Sequence, residues 1–269
     1  MKRRSTMASE ALTAVALAGG RLESDFAAAG HSVANKAYLP LDGVLMLERV
    51  LGSLRAAKTI DRIRCVTPRD AFDAAFGERG STLADEIVAP GDGLIDSLIN
   101  GLLGLAPERR VLVVATDIPL ARGEHYDAFV SRAAGDQWDV SYGYVRREAH
   151  VAQYPAVRHT WARLRGGAMC GSGVTVVRAG SMEGLAVLLR RIAAARKSPL
   201  RLAGIFSAAL VFRYVFGTLT LASVERRASE LSGLRCRGVD CEYPELAVNV
   251  DRLSDLSEVE RILDGREAT

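Results

Sequence analysis

Near its N-terminus the chain reads TAVALAGGR, from Thr13 to Arg21: a short apolar run, then two glycines and an arginine. An apolar run that ends in a glycine turn is typical of a buried strand, here residues 13–17. Because Lys2-Arg3-Arg4 precedes it, the same stretch also imitates the basic and apolar regions of a signal peptide. We favour the strand, since the rest of the chain repeats the pattern of apolar runs separated by helices.

Short runs rich in Val, Ile and Leu alternate with longer helical patterns along the chain. The further predicted strands are residues 60–67, 110–116 and 174–178, and the predicted helices are residues 46–57, 93–105 and 181–195. Unbroken apolar strands that alternate with helices indicate a mostly parallel sheet covered by helices on both faces. The sequence therefore predicts an α/β, Rossmann-like fold.

Residues 1–269 are predicted to form a single domain, because no internal repeat or low-complexity linker divides them. Residues 200–235 are predicted to be a helical, apolar insertion in it. Residues 200–221 are long enough to span a bilayer, but Arg201 and Arg213 interrupt them, and an arginine at mid-membrane costs roughly 2.5–3.5 kcal/mol. We expect helices packed on the core or on a partner subunit, which leaves a homodimer open; contact with a membrane interface is the less favoured alternative.

The composition is that of a soluble globular protein, with 49% hydrophobic and 25% charged residues. A net charge of +3 is too small to indicate a nucleic-acid partner. The four cysteines form no CxxC pair, so reduced and mostly buried thiols are expected, as in a cytoplasmic protein. A metal or disulfide that joins Cys236 and Cys241 is the alternative.

Ligands of parallel α/β sheets bind at the carboxyl ends of the strands, so the residues after the first strand are candidates for binding. Gly19 and Gly20 would let backbone N–H groups approach a phosphate, and Arg21 would supply a forked cation. The alternative for the two glycines is a left-handed turn without a ligand.

Lys36 and Asp117 are further candidates. Lys36, in NKAYLPLDG, is a point charge able to reach a triphosphate, although a loop lysine is more often solvated. Asp117 follows the apolar run RVLVVAT, and a carboxylate there is an oxygen ligand suited to Mg²⁺. Asp117 could equally be the N-cap of a helix that has a proline in its first turn.

Together, the segments LAGGR, NKAYLPLDGVLMLERVL, ATDIPL and NVDRLSDL resemble, in order, the MobA-like NTP transferase family. Enzymes of this family make the guanine dinucleotide of the molybdenum cofactor, nucleotide sugars and cytidylyl-methylerythritol. The resemblance implies a GT-A-like fold and a cytoplasmic, Mg²⁺-dependent nucleotidyltransferase. Its substrates would be an NTP and a phosphorylated small-molecule acceptor, and pyrophosphate would be released.

The resemblance also implies roles for the matched residues. The residues that would contact the nucleotide are Leu17, Ala18, Gly19, Gly20, Arg21, Lys36, Asp92, Gly93 and Ser97. Of these, Arg21 and Lys36 would be catalytic, Lys36 by neutralising charge on the α-phosphate. Asp117 and Asp251 would hold Mg²⁺. The acceptor would be bound by Arg158, Gly171 and Gly173.

Some positions depart from the family pattern or have a simpler interpretation. Many relatives have Asn where this chain has Gly173, so the acceptor stays open. No Lys or Arg lies between Arg21 and Lys36, which would therefore carry more of the phosphate charge. Ser97 could simply be an exposed helix residue. His159 is expected to be structural or at the rim of the pocket, with a general base as the less favoured alternative.

Two other classes of function compete with the transferase. An NDP-sugar-dependent glycosyltransferase on a related scaffold would not release pyrophosphate from an NTP. A non-catalytic, nucleotide-binding regulatory protein would bind an NTP and form no product.

Overall fold

The centre of the structure is a mixed β-sheet. The computed structural model describes residues 11–195 and 208–267. Its strands are β1 Leu12–Leu17, β2 Pro40–Leu41, β3 Val44–Leu45, β4 Ile60–Val66, β5 Glu86–Val88, β6 Arg110–Ala115, β7 Val140–Arg146, β8 Ala162–Leu164, β9 Gly167–Arg178 and β10 Cys236–Asp240. Its helices are α1 Ser24–Ala28, α2 Met46–Ala56, α3 Arg69–Phe76, α4 Gly80–Leu83, α5 Leu94–Leu102, α6 Gly123–Arg132, α7 Arg147–Gln153, α8 Met182–Ala195, α9 Ala208–Val215, α10 Leu221–Ser232 and α11 Leu253–Glu267.

The main sheet has the strand order β10-β7-β9-β6-β1-β4-β5, and β8 pairs with β9. β1 pairs in parallel with β4 and β6, β4 with β5, and β7 with β10. β9 runs antiparallel to both β6 and β7. The predicted mostly parallel sheet is therefore confirmed, with β9 as the exception.

Strand β9 is longer than the predicted run of residues 174–178 and runs against its neighbours. After β7 the chain stays at the carboxyl end of the sheet through α7, and β8 and β9 then form a hairpin. β9 therefore enters the sheet from its carboxyl end. Gly167, Gly171 and Gly173 interrupt the apolar pattern of its first half, so the sequence revealed only the second half.

Helices cover both faces of the sheet. On one face α2 and α6 bury side chains such as Leu51 and Phe129, and on the other face α5 buries Leu98. Ala14 and Val15, neighbours in β1, are both fully buried and belong to opposite cores. A strand covered on both sides must be apolar at every position, which explains the unbroken run in β1.

A third apolar cluster joins the C-terminal segment to the connection between β1 and α2. Phe26 and Leu39 pack there with Val250 and Leu256. The Val250 N–H also donates a hydrogen bond to the carbonyl of Asp117, at 2.9 Å. Residues 249–251 are thereby held beside the end of β6.

The predicted insertion is described only in part, because residues 200–207 lie outside the described residues. Within the remainder, α10 packs along the edge strand β10, and the Gly238 N–H donates to Glu225 Oε1 at 2.7 Å. The Cys236 N–H likewise donates to Ser229 Oγ at 2.9 Å, so α10 satisfies backbone groups of a sheet edge. Across residues 11–195 and 208–267, every helix is too short or too polar to cross a membrane. All four cysteines are buried and free of disulfide bonds.

Candidate active site

The glycine turn lies at the carboxyl edge of the sheet, directly after β1. A Cβ at Gly19 would lie 2.5 Å from Cβ of Pro90, so the turn leaves no room for a side chain there. Gly20 has open space around it, with no atom within 4 Å of a Cβ built on it. Arg21 follows and is exposed. The turn therefore offers an accessible stretch of backbone and a free-standing guanidinium group at the sheet edge.

Asn35 fixes the position of Lys36 relative to this turn. The Asn35 side chain is buried, and its Nδ2 donates a hydrogen bond to the carbonyl of Ala18 at 2.8 Å. Its Oδ1 accepts a hydrogen bond from the Ala37 N–H at 2.9 Å, which caps the short helical turn that carries Lys36. One amide therefore ties the lysine and the glycine turn together.

Lys36 bridges the two aspartates that would hold the metal. Its Nζ lies 2.7 Å from Asp117 Oδ2 and 2.7 Å from Asp251 Oδ1. Glu23 Oε1 lies 3.9 Å from the same nitrogen. The Asp117 side chain is 14% exposed, whereas that of Asp251 is 61% exposed. Both carboxylates therefore face one cation, and the group opens to solvent on the Asp251 side.

The charges around Lys36 favour its protonated form. Burial alone would lower the pKa of Lys36, because it penalises a charge removed from water. The ion pairs with Asp117 and Asp251 outweigh that penalty and raise the pKa above its usual value. One ammonium between two carboxylates leaves a net negative charge, and that is the sign that attracts a divalent cation.

Two buried oxygen atoms in this region have no hydrogen-bond partner among the residues that the structure describes. They are Asp117 Oδ1 and Asn249 Oδ1. Buried polar atoms are normally paired, so both oxygens are suited to a ligand that the protein itself does not supply. With Asp251 they form a set of hard oxygen donors, the kind that Mg²⁺ prefers. Within the part of the chain that the structure describes, no three His, Cys, Asp or Glu side chains form a metal cage.

The loop between β5 and α5 packs against the glycine turn. Ser97 is only 3% exposed, so its interpretation as an exposed helix residue is wrong. Its Oγ accepts a hydrogen bond from the Gly91 N–H at 3.1 Å and lies 3.1 Å from the point where a Cβ of Gly19 would be. Asp92 and Gly93 are exposed. Ser97 therefore holds the loop in place, and Asp92 and Gly93 stay accessible beside the turn.

Gly171 and Gly173 lie in the first half of β9. Because Gly171 has no side chain, it leaves room for the half-exposed Tyr142. The Tyr142 hydroxyl would clash with a Cβ at Gly171. A Cβ at Gly173 would lie 2.8 Å from Ile118 Cγ2, so close packing of β9 requires a glycine there as well. Arg158 is exposed, on the connection between α7 and β8.

Asn35 and Tyr142 were not among the residues predicted from the sequence. For Asn35 a signal was present, because Asn commonly caps turns and stands directly before Lys36. Tyr142 carried no such signal, since an aromatic residue in a strand is usually part of the core. The structure brings Lys36, Asp117 and Asp251 together. The binding of Mg²⁺ by the aspartates and of the nucleotide by Lys36 stays a prediction.

The fold and the edge residues define the class first: an α/β protein whose glycine turn and Asp117 follow the parallel strands β1 and β6, at the edge where such sheets bind ligands. More particularly, residues 14–197 match the MobA-like NTP transferase domain, and the chain belongs to that family. A comparison with curated proteins gives no significant match.

Solved structures share the fold over nearly the whole chain. A hypothetical transferase from Thermus thermophilus has a TM-score of 0.79 and 30% identity, covering 91% of this chain and 99% of that chain. A nucleotidyl transferase from Methanothermobacter has a TM-score of 0.56 and 19% identity, covering 95% and 99%. CMP:2-keto-3-deoxy-manno-octonic acid synthetase complexed with CTP has a TM-score of 0.57 and 12% identity, covering 96% and 100%. These structures confirm the predicted GT-A-like nucleotidyltransferase fold.

Proposed function

We propose that this protein is a Mg²⁺-dependent nucleotidyltransferase that moves an NMP from an NTP to a phosphorylated acceptor and releases pyrophosphate. The observation that carries the proposal is the position of Lys36, which lies between Asp117 and Asp251 and is tied to the glycine turn. Membership of the family supports nucleotide transfer. The CTP bound by a relative of the same fold supports an NTP as the ligand.

The triphosphate would lie against the glycine turn. The backbone of Gly19 and Gly20 can be approached closely there, and the N–H groups of such a turn attract anions. Arg21 would add a forked cation, which matches phosphate oxygens. Asp92 and Gly93, exposed next to the turn, would contact the nucleoside, and the buried Ser97 would hold their loop.

The chemistry of the donor set fits Mg²⁺. Asp117 and Asp251 would hold the ion, with Asn249 Oδ1 as a further oxygen. Mg²⁺ needs only one or two carboxylates, because waters and phosphate oxygens complete its octahedron. When bound, the ion would neutralise charge that develops on the phosphate oxygens. Lys36 would exchange its carboxylate partners for oxygens of the α-phosphate and stabilise the transition state there.

The acceptor phosphate would be the nucleophile. A phosphate monoester is largely ionised at neutral pH, so no general base is required. One of its oxygens would form a bond to the α-phosphorus while the bond to the bridging oxygen breaks, and pyrophosphate would leave with that electron pair. Positioning and charge neutralisation then account for catalysis. Arg158 would bind the acceptor beside β9. This strand pairs antiparallel with β6, with Val174 opposite Val114.

The first experiment identifies the nucleotide. Each of the four NTPs is added with Mg²⁺ in a thermal-shift assay, because stabilisation grows with ligand concentration over its dissociation constant. Pyrophosphate release is then followed with the preferred NTP and a panel of phosphate monoesters. Asp117→Ala should stay folded and lose Mg²⁺-dependent release of pyrophosphate. Asp70→Asn, at an exposed position on α3, is the matched control and should keep it.

The outcomes separate the competing functions. Mg²⁺-dependent turnover that survives Asp117→Ala overturns the assignment of the site. Cleavage of an NDP-sugar, with no pyrophosphate released from any NTP, would instead identify a glycosyltransferase. Binding of an NTP without product for every acceptor in the panel would favour the non-catalytic nucleotide-binding protein.

A further inference from the structure

A buried histidine holds a second, partly exposed histidine near Asp251. His150 is fully buried on α7, and its Nε2 lies 2.9 Å from Nε2 of His159. The rings of Tyr154 and Trp161 pack edge-on against His150, with centroids at 5.9 and 5.5 Å. The aromatic contacts and the hydrogen bond together fix the orientation of the His159 ring.

Both histidines are neutral at pH 7. Burial lowers the pKa of His150 to about 4, and the neighbouring His159 adds to this effect. Burial also lowers the pKa of His159, although Asp255 and Asp251 act in the opposite direction. A single proton therefore lies between the two Nε2 atoms, and one ring donates it to the other.

The surroundings of His150 decide which ring is the donor. Its Nδ1 is buried and has no hydrogen-bond partner in the described part of the chain. A proton on that nitrogen would leave a buried N–H unsatisfied, which is rare in proteins. The proton of His150 therefore lies on Nε2, which donates to His159 Nε2. The proton of His159 must then lie on Nδ1.

Two cations flank this donor along the chain. Arg158 precedes His159, and Arg163 follows it on β8; both are exposed. Neither has a carboxylate partner within the described ranges. Two exposed guanidinium groups close in sequence to an N–H donor are residue types that bind phosphate.

We propose that His159 binds the phosphate of the acceptor through its Nδ1–H, and that His150 is the positioning residue that fixes this tautomer. The ligand class is a phosphate monoester. The identification of that phosphate as the acceptor rests on the proposed function, whereas the tautomer and the anion site do not depend on it.

NMR of the full chain with ¹⁵N-labelled histidine measures the tautomers directly. At neutral pH, His150 should carry its proton on Nε2 and His159 on Nδ1. Inorganic phosphate is then titrated into protein that already contains Mg²⁺ and tripolyphosphate, which would fill the glycine-turn site. The Nδ1 and attached proton of His159 should shift and saturate. A proton on His159 Nε2, or an unchanged His159 signal throughout the titration, overturns the proposal.

Two substitutions at His159 form a matched pair, because Asn places its amide nitrogen near the position of Nδ1 and Gln places it near Nε2. His159→Asn should keep phosphate affinity within about threefold, whereas His159→Gln should lose roughly tenfold or more. His150→Phe should move the His159 proton and lose the same affinity, and His150→Gln should restore both. Equal affinities of the two His159 variants would contradict the tautomer assignment.

Tripolyphosphate binding tests the proposed function separately. If tripolyphosphate fails to bind while the His159 signal still responds to phosphate, the nucleotidyltransferase assignment fails and the anion site stands. If tripolyphosphate binds and the His159 signal does not change when phosphate is added, the proposed anion site is refuted and the transferase assignment stands.

Discussion

Lys36 Nζ and Asp117 Oδ2 lie 2.7 Å apart, where the end of β6 meets the connection between β1 and α2. Asp251 completes the group on the solvent side at the same distance from the lysine. A cation at this point offsets the repulsion between two neighbouring carboxylates. Lys36 therefore stabilises the metal-free protein, and in the proposed function it would compete with a divalent ion for the charge of these two carboxylates.

Lys36→Met tests that competition. Without the ammonium group, Asp117 and Asp251 face each other unneutralised, and the free energy of unfolding without metal should fall by about 2 kcal/mol. Added Mg²⁺ should then raise the melting temperature of the variant more than that of the wild type. Thermal melts over a Mg²⁺ series measure both effects, with the exposed Lys58→Met as the control. An identical Mg²⁺ response in all three proteins would show that Lys36 and the ion do not compete for these carboxylates.

Asn35→Ala should loosen the link between the lysine and the glycine turn. The substitution removes the bonds to the Ala18 carbonyl and the Ala37 N–H, which leaves buried groups unpaired and should cost roughly 1–3 kcal/mol of stability. The KM for the NTP should rise more than kcat falls, because the phosphate-binding groups lose their relative position. Urea unfolding and steady-state kinetics measure the two effects, and the exposed Ser32→Ala is the control. A stable variant with an unchanged KM would refute the link.

The edge of the sheet that carries the site could be predicted from the sequence. An unbroken apolar strand such as β1 must be covered on both faces, and the residues after such a strand lie at the ligand-binding edge. The meeting of Lys36 with Asp251 was expected only through the family resemblance, because 215 residues separate the two. The cluster that includes Phe26 and Val250 brings them together, and no local periodicity reports such a contact.

The structure around the acceptor residues implied by the resemblance could not be predicted. The direction of β9 depends on the end of the sheet at which the chain lies after α7. No residue type encodes that position. A glycine in a strand is typical of a close approach to the backbone, but Gly171 and Gly173 do not identify what approaches. In the structure it is Tyr142 in one case and Ile118 in the other.

The two glycines of the turn should respond differently to alanine. Gly19→Ala would put a Cβ 2.5 Å from Pro90 Cβ and displace the loop before α5, so both the melting temperature and NTP affinity should fall. A Cβ at Gly20 would contact no neighbouring atom, so Gly20→Ala should leave the melting temperature unchanged. If the triphosphate lies against this turn, Gly20→Ala should still weaken NTP binding. Thermal melts with calorimetric NTP titration separate the two, and equal melting temperatures for both variants would contradict the close packing at Gly19.

His150 should make the stability of the protein depend on pH. Its pKa is about 4 in the folded protein against 6.5 for an ordinary histidine, so between these values the unfolded chain binds more protons than the folded one. The contribution of His150 is fully present above pH 6.5 and is lost as the pH falls towards about 4, with a slope of at most about 1.4 kcal/mol per pH unit. Urea unfolding of wild type and His150→Phe over this range measures the effect of the histidine pair, because the other titrating groups are shared. The variant should have the flatter profile, and parallel profiles would mean that His150 takes up its proton without unfolding the protein.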